Sequence, residues 1–212
     1  MRVDETLKMV IAACDAIIAS ESYLTEVDQK IGDGDHGTGM ALGMRAAKEA
    51  LFMKESFETV NEIFKTAGMT MLNSMGGASG VIFGSFFLGG VRGKEAITEL
   101  DGKTFLHIME ESLDAIKKRG GAGVGDKTMV DALEPAVLAM KEKDSDCISE
   151  MMETAARAAA EGVEATKRQI AKFGRARYLG ERALGYQDAG ATSVAILFQA
   201  MSDYLKEQKT GC

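Results

Sequence analysis

A single proline, Pro135, stands in a chain of 212 residues, while 24 glycines gather in a few short runs between apolar segments. Proline breaks helix interiors, so a chain nearly free of it can be helical almost throughout. The periodicity agrees: Val3, Leu7, Val10, Cys14 and Ile17 recur at helical spacing, as do Phe57, Val60, Phe64, Ala67 and Met71. The pattern predicts an all-α fold of eight helices, near 3–20, 39–53, 57–75, 80–90, 103–118, 129–141, 147–171 and 190–207, with no competing strand pattern. Pro135 falls inside the sixth, where a kink or a later start is expected.

A hydrophobic content of 46% in 212 residues suffices for one sizeable core, and the chain is expected to be a single domain over 1–212. The net charge of −7 argues against a nucleic-acid or anionic-membrane surface. The most apolar stretch, Val81 to Val91, is too short to span a bilayer, and no targeting segment is recognisable. Cys14, Cys147 and Cys212 lack C-x-x-C spacing and are expected to be packing residues and a free tail, without zinc or a disulfide framework, as in a reducing cytoplasm.

If the helices run up and down, every second connection lies at the same end of the bundle. The connections so grouped are D-Q-K-I-G-D-G-D-H-G from Asp28, G-G-A-S-G (76–80), R-G-G-A-G-V-G-D-K-T (119–128) and the arginine-bearing stretch 174–190. The other end receives ordinary charged turns such as M-K-E-S-F-E (53–58) and K-E-K-D-S-D (141–146). Acids, small residues, uncovered amides and arginines thus collect at one end.

Asp28, Asp33 and Asp35 are the sharpest feature of that end. Three like charges within eight residues repel one another unless a cation sits between them, and Mg²⁺ is the usual occupant when phosphate is also present. Residues at i, i+5 and i+7 share no face of a helix or strand, so the segment must bend. A calcium EF-hand counted from Asp33 fails, because its glycine and glutamate positions hold Thr38 and Met44. Taken alone, Gly-Asp-Gly-Asp reads first as a solvated turn. The rest of the chain favours a metal and phosphate loop.

Gly76, Gly77, Ala78 and Ser79 precede an apolar helix whose first amides suit a phosphate, although a tight helix connection needs the same residues. Asp126 and Thr128 are expected to cap the following helix rather than to act in chemistry, and Asp188 to cap the last. Arg175, Arg177 and Arg182 offer fork-shaped donors to phosphate, with at least one expected to be a surface residue pairing with Glu181. His36 either touches phosphate or forms a local hydrogen bond.

Four ordered segments, I-G-D-G-D-H-G, G-M-T-M-L-N-S-M-G-G-A-S-G, G-D-K-T-M-V-D-A-L and G-R-A-R-Y-L-G-E-R-A-L-G-Y-Q-D-A-G-A-T-S, resemble the nucleotide-binding L subunit of dihydroxyacetone kinase over nearly the whole chain. That family is an eight-helix antiparallel barrel closed at one end around ADP or ATP and two Mg²⁺ ions. The resemblance implies that Asp28, Asp33 and Asp35 hold the metals. It places His36, Gly37, Thr38, Gly39, Ala78 and Ser79 against the phosphates, and Gly120, Met129, Arg175, Asp188, Ala189 and Gly190 around the rest of the nucleotide. This chain departs from the family's usual asparagine at Gly39, proline at Ala189, histidine at Tyr186 and serine at Arg177. The implied activity is phosphoryl transfer to dihydroxyacetone or a related short ketose, held covalently on a histidine of a separate K subunit. ADP would be retained and recharged by a phosphotransferase-system phosphocarrier, or exchangeable ATP used instead; a non-catalytic, nucleotide-dependent regulator-binding role is the third option. A homodimer is compatible with the resemblance. His107, in a helical pattern, is expected to pack, so the chain offers no ketose-holding histidine of its own.

Overall fold

The computed structural model describes residues 1–208. Within them lie α1 (Val3–Ala19), α2 (Glu21–Gln29), α3 (His36–Met53), α4 (Val60–Ser74), α5 (Gly77–Leu88), α6 (Gly102–Gly120), α7 (Val130–Lys143), α8 (Ile148–Thr166) and α9 (Ala189–Gln208), with a 3-10 segment at Ala176–Ala183. The only pairing of extended backbone among the described residues is an isolated bridge between Arg2 and Glu99. All eight predicted helices are present. The additional α2 buries only Leu24 and Val27, too little apolar surface to stand out as a periodic pattern.

Helix ends follow local chemistry. Asp101 accepts a hydrogen bond from the Thr104 amide at 2.7 Å to start α6, and Gly121, at φ 73°, ends it in the left-handed region after a basic last turn. The helix expected to reach residue 171 stops at Thr166, and the last turn of that prediction belongs to an irregular connection. Pro135 lies within α7, which nevertheless begins at Val130, so the later start does not occur.

Going round the molecule, α1 packs on α3, α3 on α4, and so on through α9, which returns to α1; α2 lies across α3 and α9. The enclosed space is filled by one apolar cluster. Phe86 sits at its centre, 5.1 Å from Phe87 and 5.9 Å from Phe198 between ring centroids, in edge-on geometry. Cys14 is buried in α1, as expected. Cys147, the N-cap of α8, is disulfide-bonded, so the expectation of an unbridged set fails there. Cys212 lies outside the described residues.

The two ends differ. At one, Val60 donates to the Ile97 carbonyl at 2.8 Å, Gly102 to Asp146 at 2.8 Å and Leu100 to Met1 at 2.8 Å, joining the α3–α4, α5–α6 and α7–α8 connections to the N-terminal strand of chain. The α2–α3, α4–α5, α6–α7 and α8–α9 connections gather at the other. Among the described residues no helix is long and apolar enough to cross a membrane.

Gly162 sets the approach of α8 to α7, since a Cβ there would overlap the Asp131 carbonyl and the Ala132 Cα. Gly162→Ala is expected to destabilise the fold by roughly 1–3 kcal/mol through overpacking, although alanine is the better helix former. Gly39, with nothing within 4 Å of a Cβ, is the control. Gly39→Ala should be neutral or stabilise by up to about 1 kcal/mol. Urea unfolding of both variants measures this, and equal midpoints would show that Gly162 does not set the spacing.

Candidate functional site

Asp28 occupies the last turn of α2, and the chain reverses immediately after it to begin α3 at His36. One carboxylate oxygen, Oδ2, accepts the amides of Gly34 at 2.9 Å and His36 at 3.3 Å. The Asp28 carbonyl accepts the Gly32 amide at 2.5 Å. A Cβ on Gly32 would run into the Asp28 carboxylate, and Gly34 takes a φ of 80°, so both glycines are required by the turn. The bend forced by the spacing is therefore built around Asp28.

Oxygens of Asp28, Asp33 and Asp35 all lie within 4.8 Å of one another. Asp33 and Asp35 are exposed, and Asp35, although it is the N-cap residue of α3, makes no capping bond with its side chain. Partial burial pushes the Asp35 carboxyl above its ordinary range, the neighbouring Asp33 and Asp28 add to this, and Arg175 opposes it. An all-oxygen, uncapped cluster of this kind fits a hard divalent cation such as Mg²⁺ and no soft metal.

One further connection reaches this cluster directly. Arg175 reaches from the α8–α9 connection to place Nε 2.6 Å from Asp33 Oδ2. The His36 ring turns inward, with Nε2 2.8 Å from Ser193 Oγ on α9 and its centroid 5.9 Å from that of Phe83 on α5. Burial pulls its pKa below the usual value. The His36 ring thus forms a long-range hydrogen bond with Ser193 rather than a local one, while its backbone amide donates to Asp28 Oδ2 in the acidic loop. Gly37 is occupied by packing, because a Cβ there would overlap Glu21 and Thr25 of α2, whereas Gly39 is open.

At the α4–α5 connection, α5 starts at Gly77 with no side-chain cap, Gly76, Gly77 and Ala78 are exposed, and a Cβ on Gly76 or Gly77 would meet nothing within 4 Å. The first amides of α5 are therefore accessible donors. Met129 and Ala189 are both 5% exposed and begin α7 and α9 side by side, a Cβ on Gly190 lying 3.4 Å from Met129. Gly120, at the end of α6, faces Ile82 of α5. The predicted residues are thus brought to one end, with backbone more than side chain presented by positions 120, 129, 189 and 190.

Other expectations need correction. Arg177 stacks on Tyr178, 4.7 Å from guanidinium to ring centroid, and Arg182 donates to the Leu179 carbonyl at 3.4 Å, so Arg175 alone of the three meets the acids. Asp126 accepts the Gly123 amide at 2.8 Å and pairs with Lys172 at 2.6 Å, closing its own loop rather than capping α7. Thr128 keeps the expected role, its Oγ1 accepting the Val130 amide that opens α7 at 3.2 Å, while Asp131, already inside α7, accepts the amides of Gly125 at 2.6 Å and Thr128 at 2.7 Å. His107 is exposed and faces Glu111 at 3.7 Å instead of packing. Sequence inspection also missed Ser193 and Lys127; the latter is 1% exposed beside Asp131 and Asp188. Nothing in the pattern around Lys127 distinguishes it from a solvated loop lysine. A groove of about 830 Å³ along α4, α5 and α6 contains none of the predicted site residues.

Asp188 accepts the Ala191 amide at 2.7 Å at the start of α9. Desolvation pushes its carboxyl up to about 7, with Asp131 and Asp28 reinforcing and the Ala191 amide and Lys127 opposing. A folded pKa above the unfolded 3.8 means that the stability from protonated Asp188 is complete below that value and lost as pH rises through about 7. Asp188→Asn keeps the acceptor and removes the titration. The difference in melting temperature between the variant and the parent protein is expected to grow in the variant's favour from about pH 5 to about pH 8. A pH-independent difference would place Asp188 in a solvated setting.

Comparison with known proteins agrees with this arrangement. The DAK2 domain family matches residues 30–203. The ADP-binding subunit of PEP-dependent dihydroxyacetone kinase 1 from Listeria innocua is 41% identical over 182 residues, 86% of each chain. The ADP-binding subunit of the PTS-dependent dihydroxyacetone kinase of Lactococcus lactis is 41% identical over 201 residues, 95% of this chain and 97% of the relative. The dihydroxyacetone kinase of C. freundii, solved in complex with AMP-PNP and Mg²⁺, superposes with a TM-score of 0.70 at 26% identity; the match covers 93% of this chain and 33% of that longer one. On the extent of these matches, together with the acidic turn and the four gathered connections, the chain belongs to the DAK2 domain family.

Proposed function

We propose that this protein is the nucleotide-binding subunit of a dihydroxyacetone kinase, a single-domain phosphotransferase that binds ADP or ATP with Mg²⁺ and passes a phosphoryl group to dihydroxyacetone or a related short ketose on a separate K subunit. The observation that carries this is a cluster of three closely spaced carboxylates, with Arg175 against Asp33 and the uncapped first amides of α5 at the same end of the bundle. Asp28, Asp33 and Asp35 would hold two Mg²⁺ ions. When bound, these neutralise phosphate charge and draw the phosphate oxygens into line.

The protein's own part is positioning. Phosphoryl transfer passes through a loose transition state in which alignment and charge neutralisation outweigh covalent help. The turn fixes Asp28 through two amides, so the acids keep their places before any ligand arrives. The α5 amides, with Ala78 and Ser79, and the first amides of α3 at Gly37 and Thr38 would receive phosphate oxygens, with His36 and Gly39, whose amides serve Asp28 and the Asp35 carbonyl, lining the approach. Arg175 would add a planar charged donor. Gly120, Met129, Asp188, Ala189 and Gly190 would form the wall around the nucleoside.

The PTS-dependent relative supports ADP that stays bound and is recharged by a phosphotransferase-system phosphocarrier. The AMP-PNP complex of the longer kinase supports a second version, in which ATP exchanges freely. Denaturing the purified protein, identifying the released nucleotide and testing its prior exchange with ATP separates the two. A cytoplasmic location follows from either, and a homodimer is compatible with both.

Asp35→Asn removes one charge at nearly constant shape. It should abolish Mg²⁺-dependent nucleotide binding in calorimetry while leaving the helical circular dichroism unchanged, and parental affinity would take Asp35 out of the site. The two histidines give the chain no ketose anchor, since His36 is engaged with Ser193 and His107 is exposed on α6. Alone with Mg²⁺, dihydroxyacetone and either phosphoryl donor, the protein should form no dihydroxyacetone phosphate, and a cognate ketose-binding subunit should restore turnover. Arg177→Ser, at the exposed rim, should change the apparent affinity for that subunit more than the affinity for nucleotide. Turnover by the chain alone would end the half-enzyme proposal.

A further inference from the structure

Lys127 has no role in the site as described, yet its placement is unlike that of an ordinary lysine. It is 1% exposed and its backbone lies in the left-handed region at φ 59°. The ammonium donates to the Thr166 carbonyl at the end of α8, at 2.6 Å, and to the Tyr186 carbonyl just before α9, at 2.5 Å. Burying an ammonium costs several kcal/mol unless its donors are matched, and here they are spent on two carbonyls that end and begin helices. The carboxyls facing it belong to Asp131, in the first turn of α7, and Asp188, which caps α9.

The surrounding bonds extend the same junction. Thr166 Oγ1 accepts the Asp188 amide at 3.0 Å, the Gly185 amide donates to Lys167 at 2.8 Å, and the Lys172 amide donates to Asp126 at 3.1 Å. Arg175 is carried on the segment that these bonds fasten, between Lys172 and Gly185. Met129, two residues beyond Lys127, abuts Gly190.

We propose that Lys127 is a positioning residue for nucleotide binding: its ammonium ties the α8–α9 connection to the α6–α7 connection, fixing the starts of α7 and α9 relative to each other and Arg175 relative to Asp33. This rests on the nucleotide-binding function proposed above. Lys127 itself touches no nucleotide; it acts through the two connections it joins.

Lys127→Met keeps the length of the side chain and removes the ammonium, Lys127→Gln keeps a neutral donor, and Lys127→Ala leaves space for an added amine. Hydrogen exchange on the full chain without nucleotide is expected to rise together in 120–130 and 167–190 for the Met variant, with 28–34 and the core of α1 unchanged and Gln intermediate. Mg-ADP affinity by calorimetry should fall at least tenfold for Met and Ala. Millimolar ethylammonium should restore part of the affinity of Lys127→Ala, while tetramethylammonium, which has no N–H to donate, should not. Unchanged exchange in either connection, unchanged affinity, or an affinity loss that ethylammonium leaves untouched would overturn the proposal. The exchange measurement needs no nucleotide, so failure of the parent protein to bind Mg-ADP would sink the proposed function and leave the coupling of the two connections to be judged separately.

Discussion

Like charges held a few ångströms apart govern this molecule's active end. The oxygens of Asp28, Asp33 and Asp35 are close enough to repel, and the turn between α2 and α3 keeps them there rather than letting them relax apart. It does so with backbone: the amides of Gly34 and His36 grip Asp28, and glycines stand where a side chain would either strike that carboxylate or strain the chain. Arg175, paired with Asp33, offsets part of this repulsion, and a cation entering the cluster would relieve the rest, which is the premise of the proposed metal and phosphate site.

Much of the architecture was legible in the sequence because long amphipathic helices broadcast themselves. The Val3–Ile17 and Phe57–Met71 stripes bury the faces the periodicity assigns. Failures fall where the signal is short or tertiary. α2 buries two residues. The end of α8 was overrun because Ile170 and Ala171 continue an apolar pattern after the backbone has left the helix. The clustering of Asp28, Asp33 and Asp35 could be found from spacing and charge. The engagement of His36 with Ser193 could not, since 157 positions separate the partners.

Caps illustrate the limit of local inference. Asp126 and Thr128 both precede α7 and both have capping chemistry, but only the fold decides between them. Asp126 is drawn off by Lys172 from across the α8–α9 connection, and Thr128 Oγ1 is left to accept the Val130 amide that opens α7. Asp188 behaved as expected because its donor, Ala191, is local. The competition is settled by whichever partner the chain topology delivers, and a propensity scale contains no such information.

The same consideration explains why a helical scaffold serves this site well. Each of the four gathered connections is short or tied at both ends to rigid helices, so amides and carboxylates are aimed by helix termini rather than by flexible side chains. Arg175 is the exception: it projects from the longest connection, is well exposed, and reaches Asp33 only because that connection is fastened at Lys172 and Gly185. In the proposed function the bundle presents a charged donor and a row of amides at its open end with little conformational loss, and a separate subunit brings the acceptor there, in keeping with a His36 ring turned into the interior against Ser193.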